Sequence, residues 1–255
     1  MVVLKTAAEL AAMREAGRVV ARTLAAVSDA ARPGTRLTDL DQLAADLIAD
    51  LGAKPSFRGY RPRFARTPFP AVLCLSVDDA IIHGIPDRRA LRDGDLLSID
   101  CGACVDGFHG DAAVTVPVGS VDQAGHRLIA TATEALAAGI AAAQPAGRIG
   151  DISYAVQTVC RAAGYGTPAG FGGHGVGTTV HEDPDVPNTG RPGRGPVLRE
   201  GLAIAIEPMV LEGGRDRVRL LRDGWTVVTA DGSRAAHAEH TVAVTADGPV
   251  ILTVP

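Results

Sequence analysis

The chain has 255 residues, of which 46% are apolar and 21% are charged, ordinary values for a globular protein with a sizeable core. Its 25 basic and 29 acidic residues leave a formal net charge of −4, which gives no support to nucleic acid as a substrate because nucleic-acid-binding proteins are usually basic. No stretch reaches the ~18 apolar residues of a membrane span, and the first residues lack the pattern of a secretory signal. We therefore expect a cytoplasmic protein without a membrane partner, whose four cysteines are free thiols.

Two helices are predicted at the start of the chain. Thr6 and Glu9 form a T-x-x-E capping box, and apolar residues then recur at helical spacing until Pro33 interrupts them. A second helix is predicted to open at Thr38, to carry a stripe of leucines and to end at Gly52.

Strand-like segments follow the helices, at 71–77, 95–105 and 108–117. The helical pattern then starts again, because Ser120 and Gln123 form another capping box ahead of an alanine-rich helix that runs to about Ala143. A further helix is predicted from about Asp151 to Ala163.

A weak internal repeat relates the two parts of the chain. The segment RLTDL at 36–40 is similar to RIGDI at 148–152, an offset of 112 residues. Equivalent halves are the simplest explanation of such an offset. We expect one domain over 1–255, with halves of about 1–119 and 120–255 that share one packed body.

Two aspartates lie in the predicted hairpin. If the Asp-Gly pair at 106–107 is a two-residue turn, Val105 faces Phe108 across the strands. Asp100 and Asp111 then lie on one face as diagonal neighbours, roughly 7–8 Å apart at Cα. Two carboxylates so placed repel each other unless a cation lies between them; the alternative is a pair of solvated aspartates on an exposed sheet face.

Three more candidate metal ligands follow in distinctive phrases. His174 lies in GGHGVG, Glu207 ends the apolar run LAIAI, and Glu239 precedes the strand-like HTVAV. Together with Asp100 and Asp111 they make a hard, oxygen-rich donor set suited to divalent metals. So many acidic ligands can hold two cations, which generate a nucleophile from water, and the set therefore predicts hydrolysis.

Other histidines and cysteines leave alternatives open. His181 follows His174 by seven residues and suits a substrate-facing donor or acceptor, while His83 lies among apolar residues; either one could instead be a structural histidine. Cys101 and Cys104 form a C-x-x-C pair, but in a strand they face opposite sides, so we interpret them as ordinary thiols.

The chain resembles the short bacterial type I methionine aminopeptidases. The resemblance covers essentially the whole chain, and the motifs that carry it occur in the family's order: HGIPD, SID, DGFHGD, GGHGVG, VHEDP, IEPMV, DGWTV and EHT. The resemblance implies an α+β fold of the pita-bread type, with two pseudo-symmetric α/β halves around a central antiparallel β-sheet.

The resemblance also implies a cofactor of two divalent metal ions, Co, Mn, Fe or Zn, bridged by water or hydroxide. One ion would be held by Asp100, Asp111 and Glu239. The other would be held by Asp111, His174, Glu207 and Glu239, and Glu207 would also handle the proton of the bridging water.

Substrate contacts are implied in the same way. His83 would contact the substrate amine or the scissile-bond region, and His181 would stabilise the oxyanion at the scissile carbonyl. Cys74, Phe69 and Trp225 would line the methionine pocket, since sulfur and aromatic groups suit a thioether.

The implied activity is removal of the initiator methionine from nascent polypeptides when the second residue is small, near the ribosomal exit for new chains. We expect a monomer, because no heptad or long apolar stripe suggests a partner helix. Two alternatives remain: a proline-specific aminopeptidase, although those relatives usually carry a large extra amino-terminal domain, and a pita-bread binding protein that has lost catalysis, although all five ligands are present.

Overall fold

A computed structural model describes residues 2–62 and 65–255 of the chain. Its described part contains four helices: α1 (Ala7–Ala30), α2 (Leu37–Asp50), α3 (Gln123–Ala142) and α4 (Ile149–Ala162). No helix in this described part is long and apolar enough to cross a membrane. All four cysteines are free thiols, as expected.

The capping box at the start of α1 is confirmed. The Thr6 hydroxyl accepts the backbone N–H of Glu9 at 3.3 Å, and the Glu9 carboxylate accepts the backbone N–H of Thr6 at 2.7 Å. Helix α2 begins at Leu37, one residue before the predicted Thr38. The N–H groups of its first turn donate to the backbone carbonyl of Arg36, and no polar side chain caps them.

The predicted cap of α3 is wrong. Asp122, not Ser120, caps this helix, since its carboxylate accepts the backbone N–H of Gly125 at 2.7 Å. The backbone N–H of Ser120 instead donates to the carboxylate of Asp93 at 2.7 Å. A tertiary contact therefore holds Ser120 in the preceding loop.

Helix α4 begins at Ile149, two residues before the predicted Asp151. The Asp151 carboxylate reaches back to accept the backbone N–H of Arg148 at 2.7 Å, so the acidic residue lies inside the first turn rather than before it. Helices α2 and α4 each span 14 residues and begin at Leu37 and Ile149, which have the predicted offset. We propose that the halves divide between residues 119 and 120.

The strands are short except for one long hairpin. In chain order they are β1 (Lys54–Pro55), β2 (Leu73–Val77), β3 (Ala80–Ile82), β4 (Leu96–Val105), β5 (Phe108–Pro117), β6 (Gly172–Gly175), β7 (Glu182–Pro187), β8 (Ala203–Ile206), β9 (Met209–Leu211), β10 (Val218–Leu220), β11 (Val227–Thr229), β12 (Ala235–His237), β13 (Glu239–Thr245) and β14 (Gly248–Ile251). The main sheet runs β1-β4-β5-β13-β8-β6-β7, with β2 also on β4 and β14 also on β13. All of its pairs are antiparallel.

The hairpin has the predicted register. Asp106 and Gly107 both have positive φ, 51° and 84°, as a two-residue turn of type I′ requires. Val105 faces Phe108, and the register continues along the full length of both strands. The pairing of β5 with β13 then joins the two parts of the chain in one sheet.

Among the described residues, the two largest groups of buried apolar side chains pack on the main sheet. One group joins α1 and α2 to the hairpin and includes Leu40 and Ile99, and the other joins α3 and α4 to the second part of the sheet and includes Leu128 and Ile206. Each fully buried side chain of this size contributes roughly 1.5–3 kcal/mol. The fold is α+β with a central antiparallel sheet, as predicted, and the candidate site lies where the halves meet.

Candidate metal centre

Three strands bring two carboxylates into one row. Ala113 on β5 faces Asp100 on β4 and Glu239 on β13, so the three side chains project from one face of the sheet. Asp111 lies two residues from Ala113 on that face. Because the alanine side chain is small, it leaves room between the surrounding carboxylates.

The backbone of Asp111 is held by a side chain of the neighbouring strand. The hydroxyl of Thr241 accepts the N–H of Asp111 at 3.0 Å and donates to its carbonyl at 2.8 Å. Both residues are buried. The threonine therefore fixes the strand from which the carboxylate projects.

His174 on β6 turns one ring nitrogen toward these carboxylates. Its Nε2 is 4.0 Å from Oδ2 of Asp111 and 3.8 Å from Oε1 of Glu207. Its Nδ1 is 2.9 Å from the carbonyl oxygen of Gly175, and a carbonyl only accepts, so Nδ1 carries the proton. The lone pair of Nε2 then faces the cluster, which is the tautomer that a metal ligand needs.

Glu207 follows directly after β8, as the sequence predicts. The side chain of Asn188 donates to its backbone carbonyl at 3.0 Å. The side chain of Glu207 is 11% exposed, against 4% for Asp111 and 3% for Glu239. It therefore has the most open carboxylate of these three.

Without a bound cation, it is energetically unfavourable to bury these four carboxylates so close together: Asp100, Asp111, Glu207 and Glu239. Loss of hydration raises the pKa of Asp100 and of Glu207 to about 7. It also raises the pKa of Asp111 and of Glu239 well above the usual range, with a second contribution from the neighbouring carboxylates. Among the described residues, Oδ1 of Asp100, Oδ1 of Asp111 and Oε1 of Glu239 are buried without a hydrogen-bond partner. Such oxygens fit a divalent cation, which removes the repulsion and satisfies them together.

The structure adds one residue that the sequence interpretation missed. His237 ends β12 two residues before Glu239, and its Nε2 is 3.3 Å from Oε2 of Glu207 and 3.9 Å from Oε2 of Glu239. Burial lowers the pKa of this imidazole, so it is neutral. Candidate donor atoms fall in two groups, each within 4.8 Å: Asp111, His174 and Glu239, and Glu207, His237 and Glu239.

The cluster forms one wall of a cavity of about 700 Å³. His83 and His181 also line this cavity. Burial lowers the pKa of His83 to about 4, and partial burial together with the nearby His174 lowers the pKa of His181. Both imidazoles are therefore neutral at pH 7, when each can donate or accept one hydrogen bond.

Aromatic contacts set the positions of these two imidazoles. His181 lies 4.0 Å from the ring of His174 and 5.0 Å from the ring of Tyr60, measured between centroids. His83 meets the edge of Trp225 at 6.2 Å and has a left-handed backbone, with φ of 58°. Tyr60 is a second contact that sequence reasoning did not place.

An apolar recess opens beside the carboxylates. Phe69 and Trp225 meet edge to face at 5.1 Å, and Cys74 lies on β2 opposite Asp100. Burial raises the pKa of the Cys74 thiol well above its usual range, so it stays protonated. In the described part of the chain, the apolar side chains of this recess include the three predicted pocket residues, Cys74, Phe69 and Trp225. The others are Phe57, Ala65, Ala71 and Val180.

A buried cluster of carboxylates and one imidazole, on the wall of a cavity with an apolar recess, defines a metal-dependent hydrolase. Comparison with known proteins identifies the family. The model of metallopeptidase family M24 matches residues 11–246, and the chain belongs to this family.

Similar proteins cover the chain from end to end. The methionine aminopeptidase of Clostridium perfringens is 47% identical over 253 residues, which are 99% of this chain and 99% of that protein. Methionine aminopeptidase 1 of Mycobacterium tuberculosis is 50% identical over 256 residues, 98% of this chain and 94% of that protein. The crystal structure of a methionine aminopeptidase from Thermotoga maritima has a TM-score of 0.96 at 41% identity, with all of both chains covered. The predicted pita-bread fold and family resemblance are confirmed.

Proposed function

We propose that this chain is a metal-dependent aminopeptidase that removes the N-terminal methionine from peptides and new proteins. The proposal rests on one observation: the buried carboxylates and an apolar recess lie side by side in the same cavity. Paired buried carboxylates form part of its wall, and an apolar recess that contains Cys74, Phe69 and Trp225 adjoins them. The full-length likeness to proteins named methionine aminopeptidase supports the same activity.

Two divalent ions are proposed, drawn from Co, Mn, Fe and Zn. Asp100, Asp111 and Glu239 would hold the first, and Asp111, His174, Glu207 and Glu239 the second. The orphaned carboxylate oxygens and the tautomer of His174 support metal ligation by these residues. Bound ions of this kind polarise a carbonyl and make water nucleophilic near neutral pH.

Glu207 is proposed to take up the proton that the attacking water loses. Its carboxylate is the more exposed of the two glutamates at the cluster and lines the cavity.

The neutral imidazoles are proposed to act on the substrate. His181 would donate a hydrogen bond to the scissile carbonyl oxygen as negative charge develops there. The stacked ring of Tyr60 and the tilted ring of His174 hold it in place. His83 would contact the substrate amine, and its imidazole is fixed by the edge contact with Trp225.

The recess is proposed to bind the methionine side chain. Phe69 and Trp225 supply ring surface, and the protonated thiol of Cys74 supplies a soft, uncharged group. We further propose a small residue after the methionine, a cytoplasmic monomer, and substrates that leave the ribosome as new chains.

Hydrolysis of short peptides tests the proposal. Metal-stripped protein receives Co, Mn, Fe or Zn singly, and release of the first residue is measured from Met-Gly, Leu-Gly and Ala-Pro peptides. Metal-dependent release of methionine alone is expected. Cleavage of Ala-Pro would favour a proline-specific aminopeptidase, and no cleavage by a folded, metal-loaded protein would favour a binding protein.

A further inference from the structure

A fourth imidazole lies beneath the carboxylates of the proposed metal centre. The side chain of His237 is 1% exposed, and its Nε2 approaches Oε2 of Glu207 at 3.3 Å. Glu207 and Glu239 belong to the cavity wall, whereas His237 is not among the described residues that line it. We propose that His237 is a positioning residue, which donates from Nε2–H to Glu207 and so holds this glutamate in place for metal binding.

This inference rests on the proposed metal centre, but His237 belongs to neither proposed ligand set. A lone pair on Nε2 would repel the carboxylate oxygens at 3.3 and 3.9 Å, so the proton of the neutral ring belongs on Nε2. Neither ring nitrogen has a hydrogen-bond partner within 2–62 and 65–255. The proposal therefore requires a small adjustment of either side chain, which would bring the Nε2–H of His237 into line with Oε2 of Glu207.

The backbone of His237 is held as firmly as that of a candidate ligand. The hydroxyl of Thr115 accepts the N–H of His237 and donates to its carbonyl, both at 2.8 Å. Thr241 makes the same pair of bonds to Asp111. Since the Thr115 proton goes to His237, the hydroxyl of Ser98, 2.8 Å away, donates to Thr115.

Support of this kind has a recognised effect on a metal site. Hydrogen bonds to the carboxylates that ligate a metal orient them, and loss of such a partner typically costs about 10- to 100-fold in metal affinity or activity. His237 is the nearest described imidazole to Glu207, at 3.3 Å against 3.8 Å for His174. Its position behind the carboxylates, rather than on the cavity wall, favours support over direct ligation.

Three substitutions at this position separate the hydrogen bond from the packing. His237→Leu keeps much of the volume and removes the donor, His237→Gln keeps an amide donor of similar reach, and His237→Asn has a donor that is too short. His240→Gln is the matched control, because His240 lies on β13, faces the other side of the sheet and bonds to Thr253 at 2.9 Å.

The measurements are Co²⁺ affinity by titration calorimetry and the visible spectrum of the Co²⁺ protein. We expect His237→Leu and His237→Asn to weaken Co²⁺ binding by about 10- to 100-fold, with a changed spectrum. His237→Gln should restore both, and His240→Gln should match the unsubstituted protein. Methionine release should show a lower kcat with little change in KM.

Two results would overturn the inference. Unsubstituted Co²⁺ affinity and spectrum in His237→Leu, or in His237→Asn if the leucine variant does not fold, would show that His237 gives no support. Electron spin echo modulation of the Mn²⁺ protein should detect one coordinated imidazole; detection of two would make His237 a ligand instead. Absence of metal binding or methionine release in the unsubstituted protein would instead reject the proposed function.

Discussion

The side chain of Thr241 on β13 makes two hydrogen bonds to the backbone of Asp111 on β5. The threonine hydroxyl accepts the N–H of Asp111 at 3.0 Å and donates to its carbonyl at 2.8 Å. The hydroxyl thus replaces a partner strand at the point where β5 carries a candidate bridging ligand. A side chain that satisfies both groups lets the strand bend away without leaving its backbone unpaired.

Replacing Thr241 with Val should test this pairing. Valine has the same shape but no hydroxyl, so the buried N–H and carbonyl of Asp111 lose their partner. We expect the free energy of unfolding to fall by about 1–3 kcal/mol, as measured by urea denaturation, with weaker metal binding.

Two further variants complete this test. Thr241→Ser should retain most of the stability, since it keeps the hydroxyl. Thr245→Val is the matched control on the same strand, because the Thr245 hydroxyl bonds within the following turn, where it donates to the carbonyl of Gly248 and accepts the N–H of Asp247; it should leave metal affinity unchanged. Equal metal loss in both valine variants would contradict a specific role for Thr241.

Replacing Asp111 with Asn should have opposite effects on stability and on activity. The metal-free variant should melt at a higher temperature than the metal-free unsubstituted protein, because one member of a repelling carboxylate cluster becomes neutral. Methionine release should fall by more than about 100-fold, the upper limit for a residue that only supports the ligands. Thermal melting with and without Co²⁺ checks both effects.

The same hairpin provides a control for that variant. Asp106→Asn lies in the turn, where Asn accepts a positive φ as readily as Asp. It should leave both melting and activity unchanged. An Asp111→Asn protein with near-normal activity and full metal content would reject the two-ion assignment.

The hairpin could be predicted from sequence because its geometry is local. A two-residue turn at Asp106-Gly107 fixes the register for the strands on either side, so Asp100 and Asp111 share a face by simple alternation. The pairing of Ala113 with Glu239 is different, since it joins residues far apart in sequence. No local signal specifies it, and Glu239 was grouped with the aspartates by its donor chemistry and by the family resemblance rather than by a predicted strand pairing.

The errors in the sequence interpretation also come from contacts between residues that are far apart in the sequence. Ser120 and Asp122 are both good helix caps, and the contact of Ser120 with Asp93, which is not local, decides between them. Tyr60 lies in an irregular segment without a period, so its stacking on His181 had no sequence signal. His237 did have one, because alternation along the chain puts it on the same face as Glu239.

Metal binding should release protons near neutral pH. Asp100 and Glu207 have pKa values of about 7 in the metal-free protein, above their unfolded values of about 4. Because these folded-state pKa values are raised, their stabilising contribution is complete below pH ~4 and is lost as pH rises through ~7. A cation reverses that loss, so the stabilisation by metal should grow over this pH range.

Calorimetry in buffers of different ionisation enthalpy measures this proton release. Co²⁺ binding should release more protons at pH 6 than at pH 8, where Asp100 and Glu207 are already ionised. Glu207→Gln should release fewer at pH 6, and His240→Gln should match the unsubstituted protein. The same proton release at both pH values would contradict the raised pKa values.

Replacing Cys74 with Ser should change substrate binding more than chemistry. The hydroxyl carries a stronger hydrogen-bonding demand into an apolar recess, at a cost of about 1 kcal/mol. We therefore expect KM for a Met-Gly peptide to rise by about three- to tenfold, while kcat and metal content stay close to those of the unsubstituted protein. Cys160→Ser is the control, since Cys160 on α4 is buried in the apolar group between α3, α4 and the sheet, away from the recess. This variant should lower stability without raising KM. Loss of bound metal in Cys74→Ser would instead place this thiol in the support of Asp100, which it faces across β2 and β4.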